Sequence, residues 1–193
     1  MKYEDSLMSN IEKETLRKKY IEIRKNIPNK NYKSNIIFNK LIDSKEYKNS
    51  KSIALYKSLD SEVNTVDLIK FSISLGKIVS LPRVVGKKLN FYRINSIKDE
   101  FVKSKFGVEE PKEDECNLVR KNEIDLVIVP GICFDKDKNR LGFGKGYYDS
   151  FLENINADIV AICFEDQILK DKTLPIEKSD IKVQKIITEE NIY

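Results

Sequence analysis

The first third of the chain carries the apolar pattern of helices. Ser9 and Glu12 have the spacing of a capping box and predict the start of a long helix, which Pro28 would end. A second helix is predicted over residues 32–42. The apolar residues that recur at helical spacing and would face the interior are Leu16, Tyr20, Ile23, Ile27, Ile36, Ile37 and Leu41.

Beyond residue 50 the pattern changes to short apolar runs that indicate strands. These runs cover residues 52–56, 77–81, 89–94, 125–129, 159–164 and 185–188. We expect Pro82 to close the second run, because proline donates no hydrogen bond to a sheet. The run at 89–94 alternates as an antiparallel or edge strand does, and the charged residues 98–115 are expected to be mostly loop.

Helices are predicted between these strands, over residues 66–75 and 147–154. Strands that alternate with helices predict an α/β fold with a mostly parallel central sheet flanked by helices, a three-layer, Rossmann-like sandwich. A chain of 193 residues suits a single domain. We expect an N-terminal helical segment over about residues 9–44 and an α/β core over about residues 50–193.

The composition excludes several kinds of chemistry. The chain has no histidine, so catalytic triads that use histidine and histidine-ligated metal sites are excluded. Its cysteines, Cys116, Cys133 and Cys163, form no C-x-x-C pair, which argues against a zinc site or a redox dithiol. Cys133 and Cys163 lie in apolar runs and are expected to be small core residues.

Charge and hydropathy bear on location and partners. The formal net charge of +4 comes from 35 basic and 31 acidic residues without a basic stripe, so we expect no nucleic-acid partner. The sequence shows neither an apolar signal segment nor an apolar stretch long enough to span a membrane. We therefore predict a cytoplasmic protein without a membrane partner.

The strongest local signal is a glycine-rich loop, residues 142–146, within a segment that follows the most apolar strand. Alternating glycines let successive N–H groups turn inward and hold an anion, and Arg140 and Lys145 add positive charge. Ligands of α/β sheets bind beyond the carboxyl ends of strands, so the position favours a phosphate site. The alternative is a glycine-rich turn that binds nothing.

Known phosphate and calcium motifs do not match this loop. A Walker loop and a dinucleotide-binding loop both fail, since Tyr147 stands where the latter needs its third glycine. Asp135, Asp137 and Asn139 imitate the start of a calcium loop, but Arg140 stands where that loop requires glycine.

The segment NRLGFGKGYYD, residues 139–149, closely resembles the nucleotide-binding signature of the 5-formyltetrahydrofolate cyclo-ligase (methenyltetrahydrofolate synthetase) family. The resemblance extends in order along most of the chain. It includes KETLRKKYIEIR (13–24), YKSLDSEVNT (56–65), LPR (81–83), FGVEEP (106–111) and LPIEKSDIKV (174–183).

The resemblance implies an ATP-dependent reaction on a folate. ATP and 5-formyltetrahydrofolate would give 5,10-methenyltetrahydrofolate, ADP and phosphate through a phosphorylated formyl group, an iminium phosphate, with Mg²⁺ as cofactor. Its partners would be these small molecules, including folate polyglutamates, and the protein would be a monomer or a weak homodimer. Phosphoryl transfer depends mainly on positioning and charge neutralisation and needs no histidine.

The resemblance also implies roles for individual residues. The ATP-binding residues would be Lys13, Arg17, Arg140, Leu141, Gly142, Phe143, Gly144, Lys145, Gly146, Tyr147 and Tyr148. The folate substrate would contact Lys57, Glu62, Phe143, Tyr147 and Tyr148. Asp149 and Asp180 would hold Mg²⁺, and Arg83 would meet a phosphate or the glutamate tail of the folate.

Each of these roles has a plainer alternative. Lys13 and Arg17 could form a solvated basic face, Glu62 a surface acid, and Asp149 a first-turn helix acid. Tyr148 could belong to the core. Two other classes of protein also remain open, namely a sugar-phosphate isomerase or acyl-CoA transferase that needs no ATP, and a non-enzymatic module that binds nucleotides or RNA.

Overall fold

The computed structural model describes residues 2–99, 101–104, 108–114 and 117–193. Its helices are α1 (Lys2–Asn26), α2 (Lys30–Asp43), α3 (Lys45–Asn49), α4 (Val66–Ser74) and α5 (Tyr147–Leu152). Its strands are β1 (Ser52–Ala54), β2 (Ile78–Val85), β3 (Lys88–Ile94), β4 (Phe101–Lys103), β5 (Glu109–Pro111), β6 (Leu118–Val119), β7 (Leu126–Val129), β8 (Cys133–Asp135), β9 (Arg140–Leu141), β10 (Asp158–Ile162), β11 (Ile168–Leu169) and β12 (Lys185–Ile187).

The central sheet has seven strands in the order β12-β10-β7-β1-β2-β3-β6. The pairs from β12 to β2 are parallel, and β3 and β6 add antiparallel pairs at one side. The chain leaves β1 toward β2 on one side and later returns to place β7 on the other. The carboxyl ends of β1 and β7 therefore form a topological switch point, where ligands of such sheets bind.

Helices cover both faces of this sheet because its strands are apolar on both. In β7, Leu126 and Ile128 pack into the core that contains α2 and α4, whereas Val127 and Val129 pack into the core that contains α5. The residues alternate between the two cores because successive side chains of a strand lie on opposite faces of the sheet. The prediction of a mostly parallel sheet flanked by helices is confirmed.

The N-terminal helix α1 packs on a smaller sheet, β11-β8-β9, that leads into the glycine-rich loop. Tyr20 lies in a cluster with Ile132, Cys133 and Leu141, and Leu16 packs against that cluster. The apolar face predicted for α1 therefore places the helix beside the loop.

Several predicted boundaries were wrong. The first helix begins at Lys2 instead of at Ser9, because neither proline nor glycine interrupts the residues between them. Strand β2 continues through Pro82 to Val85. Its pairing with β1 ends at Ser80, so at Pro82 strand β2 is paired only with β3 among the described strands, and a missing N–H is tolerated there.

The region from residue 98 to residue 115 contains more structure than predicted, since β4 and β5 pair with each other. Strand β3 is antiparallel as expected, but β6 pairs beyond it, so it is not an edge strand. Cys133 and Cys163 are buried as predicted. Cys116, and Phe106 and Gly107 of the FGVEEP motif, lie outside the described residues.

In the described part of the chain, no helix combines the length and the apolar character needed to cross a bilayer.

Candidate functional site

The candidate site lies at the switch point between β1 and β7, where α1 crosses the carboxyl edge of the sheet. Arg24 of α1 reaches both strand ends at once. Its Nη1 donates to Glu62 Oε1, beyond β1, at 3.1 Å and to the Gly131 carbonyl oxygen, beyond β7, at 3.3 Å. Three segments that are distant in the sequence thus meet at one edge of the sheet.

The glycine-rich loop adopts backbone conformations that favour glycine at two positions. Gly144 has φ +81° and Gly146 has φ +67°, both in the left-handed region. A side chain at Gly144 or at Gly142 would also collide with an arginine. A Cβ at Gly144 would lie 3.0 Å from Arg17 Cζ, and a Cβ at Gly142 would lie 2.9 Å from Arg140 Nη1. The glycines therefore allow two guanidinium groups to lie directly against the loop.

Arg17 fixes α1 to this loop. Its Nε donates to the Gly142 carbonyl oxygen at 2.8 Å, and its Nη1 donates to Glu14 Oε1 at 2.5 Å. Arg17 is half-buried, while Glu14 is exposed. A phosphate bound at the loop could replace Glu14 as the partner of Nη1 without loss of the contact to Gly142.

Arg140 is held from the opposite side of the loop. Its Nη2 donates to Asp149 Oδ1 at 2.9 Å, and its guanidinium carbon lies 5.5 Å from the centre of the Tyr148 ring. Its Nε is buried and has no hydrogen-bond partner among the described residues. A buried N–H of this kind is costly unless an acceptor or water reaches it, so the site has unused donor capacity.

Lys13, one turn before Arg17, points to a different segment. Its Nζ donates to Glu177 Oε1 and Asp180 Oδ2, each at 2.9 Å. Burial opposes the charged form of Lys13, but the hydrogen bonds and the negative charges of Asp180 and Glu177 together outweigh it and raise the pKa of Lys13. The two basic residues of α1 thus join the segment after β11 to the glycine-rich loop.

Glu62 is a nearly buried carboxylate, with its side chain 8% exposed, and not the surface acid of the plainer alternative. Oε1 accepts from Arg24, and Oε2 accepts from the Leu59 N–H at 2.9 Å. Burial is the largest influence and raises the pKa of Glu62, while Arg24 and the Leu59 N–H oppose that rise.

The aromatic residues of the loop divide into two groups. Tyr148 is half-buried, and its hydroxyl has no partner among the described residues, so it both packs in the core and offers a polar atom. Burial raises the pKa of Tyr148 above its ordinary range. Phe143 is 58% exposed and covers Arg24, with 5.8 Å between the ring centre and the guanidinium carbon. Tyr147, the first residue of α5, is half-buried and packs against the core.

Two other predicted residues support the pair of strands β4 and β5. Lys57 forms an ion pair with Glu109 and lies 4.2 Å from the centre of the Phe101 ring. Arg83 donates from Nη1 to the Pro111 carbonyl oxygen at 3.0 Å. None of these contacts involves the glycine-rich loop. Leu141, directly before the glycine-rich loop, is buried, and Lys145 within the loop is exposed.

The two predicted magnesium ligands lie on segments that contact each other. Asp149 Oδ1 accepts from the Ile181 N–H at 3.3 Å, and Ile181 directly follows Asp180. No group of three or more histidine, cysteine or acidic residues suited to a metal occurs among the described residues. Two carboxylates completed by phosphate oxygens and water are nevertheless a set that Mg²⁺ accepts, so the donor chemistry fits.

Arg24 is the residue that the sequence analysis missed. It follows Arg17 by seven residues, which is two helical turns, so both lie on the same face of α1. Only six of the 35 basic residues are arginines, and that scarcity was the available signal. Its partners could not be deduced, because Glu62 and Gly131 are 38 and 107 residues away in sequence.

The fold and the site define an α/β protein that gathers cationic side chains at a topological switch point, where sheets of this class bind their ligands. The profile of the 5-formyltetrahydrofolate cyclo-ligase family matches residues 9–189. The 5-formyltetrahydrofolate cyclo-ligase of Mus musculus is 30% identical over 168 residues, which cover 81% of this chain and 82% of the relative. The 5-formyltetrahydrofolate cyclo-ligase of Haemophilus influenzae is 34% identical, and the aligned residues cover 74% of this chain and 78% of the relative.

A solved structure agrees. The 5,10-methenyltetrahydrofolate synthetase of Aquifex aeolicus superposes with a TM-score of 0.80 at 34% identity, covering 93% of this chain and 91% of the other. This chain belongs to the 5-formyltetrahydrofolate cyclo-ligase family, and it is an enzyme.

Proposed function

We propose that the enzyme converts 5-formyltetrahydrofolate and ATP, with Mg²⁺ as cofactor, to 5,10-methenyltetrahydrofolate, ADP and phosphate. The observation that carries the proposal is the convergence of Arg17 and Arg140 on the glycine-rich loop, beside the buried carboxylate of Glu62. A cationic loop suits the phosphates of ATP, and a fixed acceptor suits the N–H groups of a pterin. The family to which the chain belongs supports this pairing of ligands.

The reaction needs two bond exchanges. First, the formyl oxygen attacks the γ-phosphorus of ATP, the bond between that phosphorus and the bridging oxygen breaks, and ADP leaves. Second, N10 of the folate attacks the carbon of the resulting iminium phosphate. The carbon–nitrogen bond forms, the carbon–oxygen bond breaks, phosphate leaves with the electron pair, and the N10 proton is lost. Both steps depend on orientation and on neutralising phosphate charge.

We assign the phosphates to the loop and its arginines. Arg17 keeps its Nε on Gly142 and offers its remaining N–H groups, and Arg140 offers the buried Nε that lacks a partner among the described residues. Lys13 reaches the phosphates by exchanging Glu177 for a phosphate oxygen. The backbone of Gly142, Gly144 and Gly146, with Leu141 and Lys145 beside them, completes the ATP site.

We assign the folate to the other side of the cleft. Glu62 would accept hydrogen bonds from the pterin, since each carboxylate oxygen retains a free lone pair after its present contact. Tyr147, Tyr148 and Phe143 would pack against the rings of the two substrates, and Lys57 would face the folate. Arg83, near strands β4 and β5, would meet the glutamate tail of the folate or a phosphate.

Asp149 and Asp180 would hold the magnesium ion beside the phosphates. Mg²⁺ would supply charge neutralisation at the phosphate oxygens when bound. Before then, Arg140 and Lys13 neutralise these two carboxylates and hold them at the edge of the loop. We further propose that the chain acts as one domain, as a monomer or weak homodimer in the cytoplasm, on folate monoglutamates and polyglutamates.

The test is a spectroscopic assay of the purified protein with ATP, Mg²⁺ and 5-formyltetrahydrofolate. We expect the near-ultraviolet band of the methenyl product to appear in proportion to ADP. Chelation of Mg²⁺ should stop the reaction, and excess Mg²⁺ should restore it. Product formation without any nucleotide would overturn the proposal and favour chemistry of the isomerase type.

A further inference from the structure

We propose that Arg24 is a positioning residue for the folate substrate, which fixes the Glu62 carboxylate at the carboxyl end of β1 and ties helix α1 to the folate half of the site. This inference rests on the proposed function, in which Glu62 binds the pterin. The proposed roles of Lys13 and Arg17 concern the nucleotide, so Arg24 would give the same helix a second task.

The geometry of Arg24 is that of a buried clamp. The residue is 3% exposed, and one nitrogen, Nη1, bridges the Glu62 carboxylate and the Gly131 carbonyl oxygen. That carbonyl also accepts from Gln167 Nε2 at 3.1 Å, so the anchor on the β7 side is itself held. Phe143 covers the guanidinium from the glycine-rich loop. The position of Arg24 is therefore determined from three sides.

Glu62 has few other means of holding its position. It lies in a short turn after β1 in which the Glu62 N–H donates to the Leu59 carbonyl oxygen and the Leu59 N–H donates to Glu62 Oε2. Both contacts come from the turn itself. Just beyond it the backbone is anchored, since Val63 lies in the core and the Asn64 N–H donates to Ser34 Oγ of α2 at 3.1 Å. For the carboxylate, the bond from Arg24 is the only ion pair among the described residues, and it holds this group from outside the turn.

Charge supports the same assignment. A nearly buried carboxylate without a cation beside it would tend to bind a proton and lose its value as an acceptor. The titratable groups that interact electrostatically with Glu62 in the described structure are Arg24 from α1, Tyr56 after β1 and Tyr148 from α5. Arg24 alone carries positive charge among these three. Besides orienting the carboxylate, Arg24 therefore opposes the rise in the pKa of Glu62 that burial causes.

The test compares Arg24→Gln, Glu62→Gln and the double variant in the full-length enzyme. With ATP saturating, we expect Arg24→Gln to raise the KM for 5-formyltetrahydrofolate roughly tenfold to hundredfold, the effect of a misplaced binding group. With folate saturating, its KM for ATP should stay within about twofold of wild type. Because Arg24 acts through Glu62, the folate KM of the double variant should be little higher than that of Glu62→Gln alone.

A pH profile separates positioning from a merely structural role. Folate binding should weaken as the pH falls through the pKa of Glu62, and loss of the Arg24 charge should move this limb to higher pH. The limb should be missing in Glu62→Gln. Arg93→Gln is the matched control, since Arg93 is an exposed arginine of β3, and it should behave as wild type in every measurement.

Arg24→Met serves beside Arg24→Gln, because it preserves more of the buried volume, and far-ultraviolet spectra show which variant is folded. A folded Arg24 variant whose folate KM equals that of Arg93→Gln would overturn the proposal. Effects of the two substitutions on the folate KM that multiply in the double variant would overturn it as well. If neither variant folds, Arg24 is a folding residue and the proposal is also overturned. If the wild-type enzyme itself forms no methenyl product, the proposed function has failed instead.

Discussion

At the scale of single residues, the glycine-rich loop gives the sharpest prediction. Gly144→Val should abolish turnover and ATP binding, because a Cβ there must displace the guanidinium of Arg17 and also accept a left-handed backbone. The backbone strain alone should cost about 1–2 kcal/mol of stability. Thermal melts with and without ATP measure both effects, and we expect a folded variant whose melting temperature does not respond to ATP.

Gly86→Val is the matched control for this substitution. Gly86 also has a positive φ, +61°, but a Cβ there would meet nothing within 4 Å. It should lose similar stability and retain its response to ATP. A Gly144→Val protein that still binds ATP would show that the loop needs glycine only for its own turn.

Lys13 and Arg17 give a second prediction at this scale. Lys13→Ala and Arg17→Ala should each raise the KM for ATP by roughly tenfold to hundredfold, since each removes a charge-assisted contact worth about 1.5–3 kcal/mol. The KM for folate should hardly change. Lys18→Ala, on an exposed position of the same helix, is the control, and a folate defect in place of the ATP defect would contradict the assignment.

The sequence could predict the local part of this site and not the distant part. Arg17, Arg140 and Glu62 lie within short motifs, so the family resemblance located them. Their partners could not be found in the same way. Nothing near Lys13 in the sequence indicates Glu177, and nothing near Arg24 indicates Gly131, because folding alone brings these residues together.

At the scale of elements, the segment after β12 pairs back onto this edge strand. Ile192 forms a bridge with Ile187, and Tyr193 exchanges two backbone hydrogen bonds with Ile186, so the outer edge of the sheet is covered. Side chains secure the arrangement. The Tyr193 hydroxyl and the Thr188 hydroxyl each donate to Glu165 at 2.6 Å.

Tyr193→Phe should therefore lower the free energy of unfolding by about 1.5–3 kcal/mol, the value of a hydrogen bond to a charged group. Burial raises the pKa of Glu165, but hydrogen bonds from Thr188 and Tyr193 outweigh it, so its folded-state pKa is lowered. The hydrogen bond from Tyr193 therefore gives its full stabilisation above the pKa that Glu165 has in the unfolded chain. This stabilisation is lost as the pH falls through the pKa that Glu165 has in the folded protein.

Denaturant unfolding at neutral and acidic pH measures the effect. Tyr193 stays protonated throughout this range, since its own pKa is raised to about 12 by burial and by Glu165. Tyr32→Phe, at a tyrosine that is 69% exposed, is the control and should leave stability unchanged. A difference between Tyr193→Phe and wild type that persists unchanged at acidic pH would contradict this account.

The order of elements could be predicted because each carries its own period of apolar residues. Their ends were harder to predict. Ser9 has the sequence of a helix cap and lies inside α1, and Pro82 has the character of a strand end and lies within β2. For Ser9 the residues before it continue the helix, and for Pro82 the pairing with β3 continues the strand, neither of which the local signal includes.

At the scale of the whole molecule, ligand binding should stabilise the fold in proportion to its affinity. ATP at about 100 times its dissociation constant should add about 2.7 kcal/mol, which for a chain of this size raises the melting temperature by about 5–10 °C. At the same ATP concentration, a tenfold to hundredfold weaker affinity should leave Arg17→Ala only about 0.4–1.4 kcal/mol of this stabilisation, while the shift with 5-formyltetrahydrofolate alone should be kept. A variant that responds to neither ligand would show general damage to the site.

The contacts of helix α1 also limit how early the proposed ATP site can form while the protein is being synthesised. Lys13 is made early, but its partners Glu177 and Asp180 follow 164 and 167 residues later. At about 5–20 residues per second, the ribosome needs roughly 8–33 seconds to make them. For that interval the first helix of a nascent chain carries a lysine without its acidic partners, so the ATP site that we propose forms only after residue 180 has been translated.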